Sequence, residues 1–393
     1  MNKGKPFRAS VFCGLQGEIL PNPRNPEKLR LNEHLQFDSP CNIIMENFSE
    51  KPTWFMPLPP RRFFSAGAGA PYLDGCELFS CGRDALLRIL KIEKFSAPRK
   101  IWLPEFFCPS VVRMLGRSFE VRLYADYPSE PAPRFETLKP DCGDAVLAVD
   151  FFGLRAEEPW RSWLAENAGV MSVADVSHAP FSGWLADVCD YSFASLRKTL
   201  PVPDGGLLRG RNFAPAKMFR AGSGLCAFAG DMLSAAAVRD FSGYDAAEDL
   251  YYAGEDKLDG KAEISRISKY SLSVLENFDI SAAAKRTLEN LEIFCGETAS
   301  CAGFVELNRA FGNLSNPFSA FSPALKFREN SVRDKFHNAL YAAGAMPSIY
   351  WGGLGVGVSA RAHAESDTTF VIPLDFRHCR EDAASLARLV RAL

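Results

Sequence analysis

Short apolar runs dominate the middle of the chain. "KIWLPEFF", "EVRLYAD", "DAVLAVDFFG", "GVMSVAD", "VCDYSFAS" and "GGLLRG" each end in polar residues or glycine. Such runs are apolar nearly throughout rather than alternating, the mark of strands covered on both faces. Helical periodicity separates several of them; in Arg83 to Lys91, Ala85, Leu86, Ile89 and Leu90 share one face. Strands alternating with helices predict an α/β architecture with a mostly parallel central sheet. After about Asn212 the pattern turns helical, through "DMLSAAAVRDF", "ISRISKYSLSVLENF" and "SAAAKRTLENLEIF".

From about residue 301 the pattern changes again. It predicts strands at "FSPALKF", "MPSIYW" and "TTFVIPLDF", with a helix through Val332, Phe336 and Leu340 that Gly344 stops. A closing helix carries Leu386, Leu389 and Val390 on one face. Residues 1–60 are rich in Pro and Asn without periodicity. The expected organisation is an extended arm at 1–60, a large α/β domain at 61–300 and a small C-terminal α+β domain at 301–393.

With 393 residues the chain exceeds one ordinary core. A net charge of −2 and no basic block argue against nucleic acid as the main partner. No apolar run approaches the ~18 residues of a membrane span. The eleven cysteines are odd in number and scattered, without a Cys-x-x-Cys pair, and the five histidines do not fall at metal-ligand spacing. Reduced thiols in a cytoplasmic protein, with no metal, fit that pattern.

Candidate chemistry sits where two apolar strands end. Asp175 closes "VMSVAD", and a carboxylate so placed needs a cation or hydrogen bonds. A pyridinium nitrogen is one such cation. Lys198 follows one strand later, in "YSFASLRKTLPVPDGG", a tight connection that a solvated lysine does not need. A neighbouring cation, Arg197, and partial burial favour the free amine that attacks an aldehyde. Ser195 offers a hydroxyl to a phosphate, and Gly82 in "SCGRDALL" opens a helix whose amides and dipole suit an anion. Two other glycine-rich runs carry less: "SAGAGAP" reads as a turn and "WGGLGVGVSARAHAE" as a loop near the site entrance.

The ordered set "SCGRDAL … LPEFFCPSV … VADVSHA … YSFASLRKTLPVPDGG" resembles the fold-type I pyridoxal-phosphate (PLP) enzymes, and among them the DegT/StrS-type sugar aminotransferase family. The resemblance spans about residues 75–393. It implies a homodimeric PLP-dependent aminotransferase that moves an amino group from an amino-acid donor to a carbonyl acceptor through a Schiff base on Lys198. The same cofactor on this fold also serves lyases, racemases and decarboxylases, and a non-catalytic binding protein is the reading from another class. Position by position, the resemblance puts Asp175 on the pyridine nitrogen and His178 near the phenolic oxygen. Gly82, Arg83, Ser195 and Ser192 would hold the phosphate, and Phe106 or Phe107 would stack on the ring. Two departures are visible: Gly82-Arg83 replaces the family's Gly-Thr, and Pro203-Asp204-Gly205-Gly206 replaces its Gly-Glu-Gly-Gly.

Overall fold

The computed structural model describes residues 48, 52–53, 58–91, 100–212, 222, 224–242, 244–312, 314–355 and 357–393. Most of the arm expected at 1–60 therefore lies outside the described residues.

Every run read as a central strand forms one. β1 (Glu77–Phe79), β2 (Lys100–Pro104), β3 (Glu120–Tyr124), β4 (Ala145–Val149), β5 (Met171–Asp175), β6 (Tyr191–Ser195) and β7 (Gly206–Gly210) make a single sheet. Its order is β1-β7-β6-β5-β4-β2-β3. The pairs from β3 through β6 are parallel, whereas β7 runs antiparallel to both β6 and β1. Two reversals restore direction, so β1 ends on the same edge as β6. That edge collects the first turn of the following helix, Asp175 and the connection carrying Lys198.

Alternation along β4 shows why the run is apolar throughout. Ala145, Leu147 and Val149 pack into one core layer, and Val146 and Ala148 into the other. The first layer is completed by α1 (Gly82–Leu90) and α2 (Pro109–Gly116), through Leu86, Ile89 and Leu115. The second takes Trp160 and Trp163 from α3 (Glu158–Glu166).

Beyond the sheet, α4 (Ala227–Ser242) and α5 (Tyr244–Asp259) pack as a helical hairpin. They are followed by α6 (Lys269–Asn277), α7 (Ile280–Glu297) and α8 (Leu307–Phe311). A second, antiparallel sheet runs β10-β9-β8, built from β8 (Phe304–Glu306), β9 (Ala324–Phe327) and β10 (Thr369–Val371). α9 (Asn330–Ala342), α10 (Ala360–Asp367) and α11 (Arg380–Ala392) complete that region, where Phe336, Leu340, Leu386 and Leu389 share one apolar cluster. Gly344 ends α9 at φ +82°, the left-handed conformation that glycine adopts without strain.

One strand expectation shifts, and the turn read at "SAGAGAP" agrees with the structure. "MPSIYW" forms isolated bridges and no strand, with Ser348 bridging Val371, and the chain turns at Trp351, whose φ is +54°. "SAGAGAP" leads into a short 3-10 turn at Ala70–Leu73, not into a phosphate loop.

Candidate active site

Lys198 ends a single 3-10 turn, Leu196–Lys198, that follows β6 directly. The turn is pinned at its base: Leu196 is fully buried, and its N–H donates to Gly205 O at 2.9 Å. Gly205 N–H donates in turn to Ser80 O at 2.7 Å, which ties the return stroke to the end of β1. A Cβ on Gly206 would stand 2.0 Å from Cys81 O, so only glycine lets β7 begin against the start of α1. Asp204 explains the departure in this turn. It is buried, and it accepts from Ser268 N–H at 2.8 Å and Ser268 Oγ–H at 2.7 Å, fastening the turn to the N-terminus of α6.

Between β6 and α1 lies a cleft of about 710 Å³. Gly82, Arg83, Asp175, Ser195 and Lys198 all line it, as does Phe107. Gly82 approaches Ser195 so closely that an added Cβ would sit 3.2 Å from the serine's Cβ and backbone N. α1 has no side-chain cap at its N-terminus. Helix amides and a serine hydroxyl thus converge on one end of the cleft, the donor set an anion needs.

Asp175 closes β5 on the same edge, buried, with Oδ1 accepting Ser177 N–H at 2.9 Å. Burial pushes its carboxyl above the usual range, and the Lys198 charge and the Ser177 bonds pull against that. A cation brought into the cleft would stabilise the ionised form.

His178 is clamped by rings. Phe321 stacks on it at 4.6 Å between centroids, Phe152 at 5.2 Å, and Tyr350 meets it edge-on at 5.2 Å. Phe152 N–H donates to its Nδ1 at 3.1 Å, which leaves Nε2, 3.4 Å from Lys198 Nζ, as the nitrogen that carries the proton. Burial and the Lys198 charge hold the ring's pKa well below the usual histidine value, so it stays neutral. Phe152 adopts φ +58°, an uncommon conformation for a bulky residue. It and Trp351 bring two of the three non-glycine positive-φ residues among those described to this site. Such strain persists where surrounding contacts over-determine it.

The other sequence-predicted residues divide. Phe107 lines the cleft, whereas Phe106 is fully buried in the core beneath Trp351, ring centroids 4.8 Å apart. Ser192 falls on the opposite face of β6 from Phe193 and Ser195, and is not brought to the cleft. Arg83 directs its guanidinium to α5, meeting Asp259 Oδ1 at 2.5 Å and Leu258 O at 3.1 Å, and to Ser110 Oγ at 2.7 Å. Arg197 pairs with Glu255 of α5 at 2.7 Å, so its charge is largely countered before it can act on Lys198.

Sequence reasoning missed Trp351, Tyr350 and Glu255, all lining the cleft. It also missed Asp150, buried at the end of β4, whose N–H donates to Asp175 O at 3.0 Å. Its position closing an apolar strand one place over from Asp175 was the signal available.

The residues that the cleft brings together fit PLP. The Gly82 cradle suits a phosphate, Asp175 suits a ring nitrogen, and Lys198 beside a neutral donor suits the aldehyde end.

No family model matches the chain, and no curated protein does. Solved structures do. An aminotransferase from Helicobacter pylori, PseC, involved in the biosynthesis of pseudoaminic acid, aligns with a TM-score of 0.58 at 11% identity, over 87% of this chain and 98% of that one. The PLP form of the putative sugar aminotransferase Spr1654 from Streptococcus pneumoniae gives 0.56 at 11% identity, over 86% and 92%. A DegT DnrJ EryC1 StrS aminotransferase from Brucella abortus gives 0.52 at 13% identity, over 84% and 91%. The chain has the fold of the DegT/StrS-type aminotransferases. With that fold, an α/β body of fold type I carrying a small antiparallel sheet, the architecture expected from the sequence is borne out. Among the described residues no helix is long and apolar enough to cross a membrane.

Proposed function

We propose that the protein is a PLP-dependent aminotransferase, with Lys198 as the attachment point and proton carrier. The observation that supports this most is the pairing of Lys198 Nζ with His178 Nε2 at 3.4 Å, on a cleft that also holds Asp175, Gly82 and Ser195. PLP, when bound, supplies the electron sink that makes a C–H bond beside the amino group acidic.

The chain's own groups do the rest. α1 amides at Gly82 and Arg83, with Ser195, would hold the phosphate, and Phe107 or Trp351 would cover the ring. Asp175 would keep the ring nitrogen protonated, and His178 Nε2–H would be placed to donate to the oxygen beside the aldehyde. Lys198, as the amine nearest the reacting carbon, would take the proton from the donor carbon and return it on the way to the acceptor. Over a full cycle the donor's C–N bond becomes C=O, the acceptor's C=O becomes C–NH2, and the water consumed in the first half is released in the second. A homodimer belongs to the same reading and rests on the resemblance, and a cytoplasmic location rests on the scattered cysteines, odd in number and without a Cys-x-x-Cys pair.

An absorbance spectrum of the purified protein with PLP, followed by borohydride reduction and peptide mapping, tests the proposal. A visible band fixed by reduction as a tag on Lys198 is expected. A tag on another lysine, or no band, would overturn it.

A further inference from the structure

A second cavity, of about 540 Å³, adjoins the first. Among the described residues Lys198 alone lines both, and His178 stands beside it in the second. A substrate carbon within reach of Lys198 Nζ therefore has this cavity open to its substituent.

The walls are mostly apolar, with hydroxyls in the described lining only at Thr199, Thr287 and Ser322. One is the first two turns of α7, where Ala283 and Ala284 leave room between Ile280 and Thr287. Facing residues include Phe181, Phe318 and Phe321, which present aromatic surface. Charge is nearly absent. Besides Lys198 the one charged residue in the lining is Asp375, and its carboxylate is already held by Arg377 through Nε–Oδ1 and Nη2–Oδ2 contacts, each 2.8 Å. Nothing in the described lining offers the arginine fork or lysine cluster that a diphosphate or a carboxylate recruits. A nucleotide-linked sugar placed here would lose the hydration of its phosphates without replacement, whereas a phenyl or branched alkyl group gains from leaving water.

We infer that the second cavity is the substituent pocket for an uncharged, apolar carbonyl acceptor, an aryl or branched-alkyl aldehyde or ketone, and for the amine it becomes. This rests on the aminotransferase reading and departs from the sugar-directed chemistry named for the structural neighbours. In the reverse half-reaction the amine gives up its nitrogen to the cofactor, and water supplies the carbonyl oxygen.

The test loads the protein with PLP and follows bleaching of its visible band by single amines. 2-Phenylethylamine and 3-methylbutylamine are expected to bleach it saturably, and a UDP-linked 4-amino-sugar is not. Ala284→Trp, which fills the cavity from α7, should raise the half-saturating 2-phenylethylamine concentration by about tenfold or more while leaving the initial band unchanged. Bleaching by the nucleotide-linked sugar in place of the apolar amines overturns the inference. So does an unchanged half-saturation in both Ala284→Trp and the milder Ala283→Leu. If PLP gives no band at all, the aminotransferase reading is what fails. The cavity is then read by equilibrium dialysis of 4-phenylbutan-2-one, whose binding should be present in the parent protein and lost in Ala284→Trp. No binding to the parent sinks the pocket as well.

Discussion

Phe152 sets the proton on His178. Its backbone N–H donates to Nδ1 at 3.1 Å, and the ring is held neutral, so Nε2 carries the hydrogen as a donor beside Lys198, 3.4 Å from Nζ. Glutamine can reproduce both contacts, accepting through its amide oxygen and donating through its nitrogen. His178→Gln should keep kcat within a few-fold, and His178→Leu should lower it by roughly 100- to 1000-fold, the usual cost of a lost site donor. The pH profile adds a check. Because burial and then the Lys198 charge depress this histidine's pKa, wild type and His178→Gln should show the same profile through neutral pH. An inflection near neutrality that vanishes in the variant would mean the ring titrates, contrary to the buried neutral form.

Gly82 is the position where a single methyl reports on the phosphate cradle. Its Cβ would lie 3.2 Å from both Ser195 Cβ and Ser195 N, a contact relieved only by moving β6 or α1 apart by a few tenths of an ångström. Overpacking of this kind costs about 1–3 kcal/mol, and here it widens the end of the cleft where the anion would sit. Gly82→Ala should weaken PLP binding by about tenfold, measured by fluorescence titration, with the fold retained. An unchanged affinity would place the phosphate elsewhere.

The sheet was legible because its strands are buried on both faces and so read as unbroken apolar runs between polar ends. Asp175, Ser195 and Lys198 were legible for a related reason: chemistry at a parallel sheet collects at strand termini, and those termini are visible in the chain. Trp351 was not. It enters the cleft from more than 150 positions after Lys198, as the first residue of a glycine-rich stretch that reads as a loop near the site entrance, and nothing in that composition says which side chain reaches the cleft. Glu255 and Asp259 were hidden differently. Acidic residues on a polar helix look like a solvated face, and only docking of α5 reveals that they answer Arg197 and Arg83. The choice between Phe106 and Phe107 needed the side-chain direction that consecutive aromatics do not disclose.

The Arg197–Glu255 pair yields a prediction about anions. Both side chains are mostly buried, 11% and 19% exposed, so removing the carboxylate leaves a guanidinium short of a partner. Glu255→Gln should destabilise the cofactor-free protein by about 2 kcal/mol, less than a fully buried pair would lose. Arg197 also lines the cleft with Gly82 and Ser195, so an anion there can take the carboxylate's place. Millimolar inorganic phosphate should therefore raise the melting temperature of Glu255→Gln more than that of the wild type. Equal shifts in the two proteins would separate Arg197 from the phosphate end of the cleft.

Asp150 gives the pH dependence with the clearest sign. Burial pushes its carboxyl up to about 7, against the pull of the Arg155 backbone N–H and side-chain charge, and the nearby Asp175 adds to the rise. The folded-state value lies above the unfolded value of about 4, so the folded protein keeps a proton that the unfolded chain releases. That contribution to stability is complete below about pH 4 and is lost as pH rises through about 7. Asparagine has no proton to lose and still accepts the Arg155 N–H that Asp150 Oδ1 takes at 3.1 Å. Urea unfolding of wild type and Asp150→Asn at several pH values reads the difference. It should move in favour of the variant as pH rises from 5 to 7, by at most about 1.4 kcal/mol per unit, and level off above that. A difference that stays flat across the range would mean that Asp150 is ionised in the folded protein, and that Arg155 outweighs the burial.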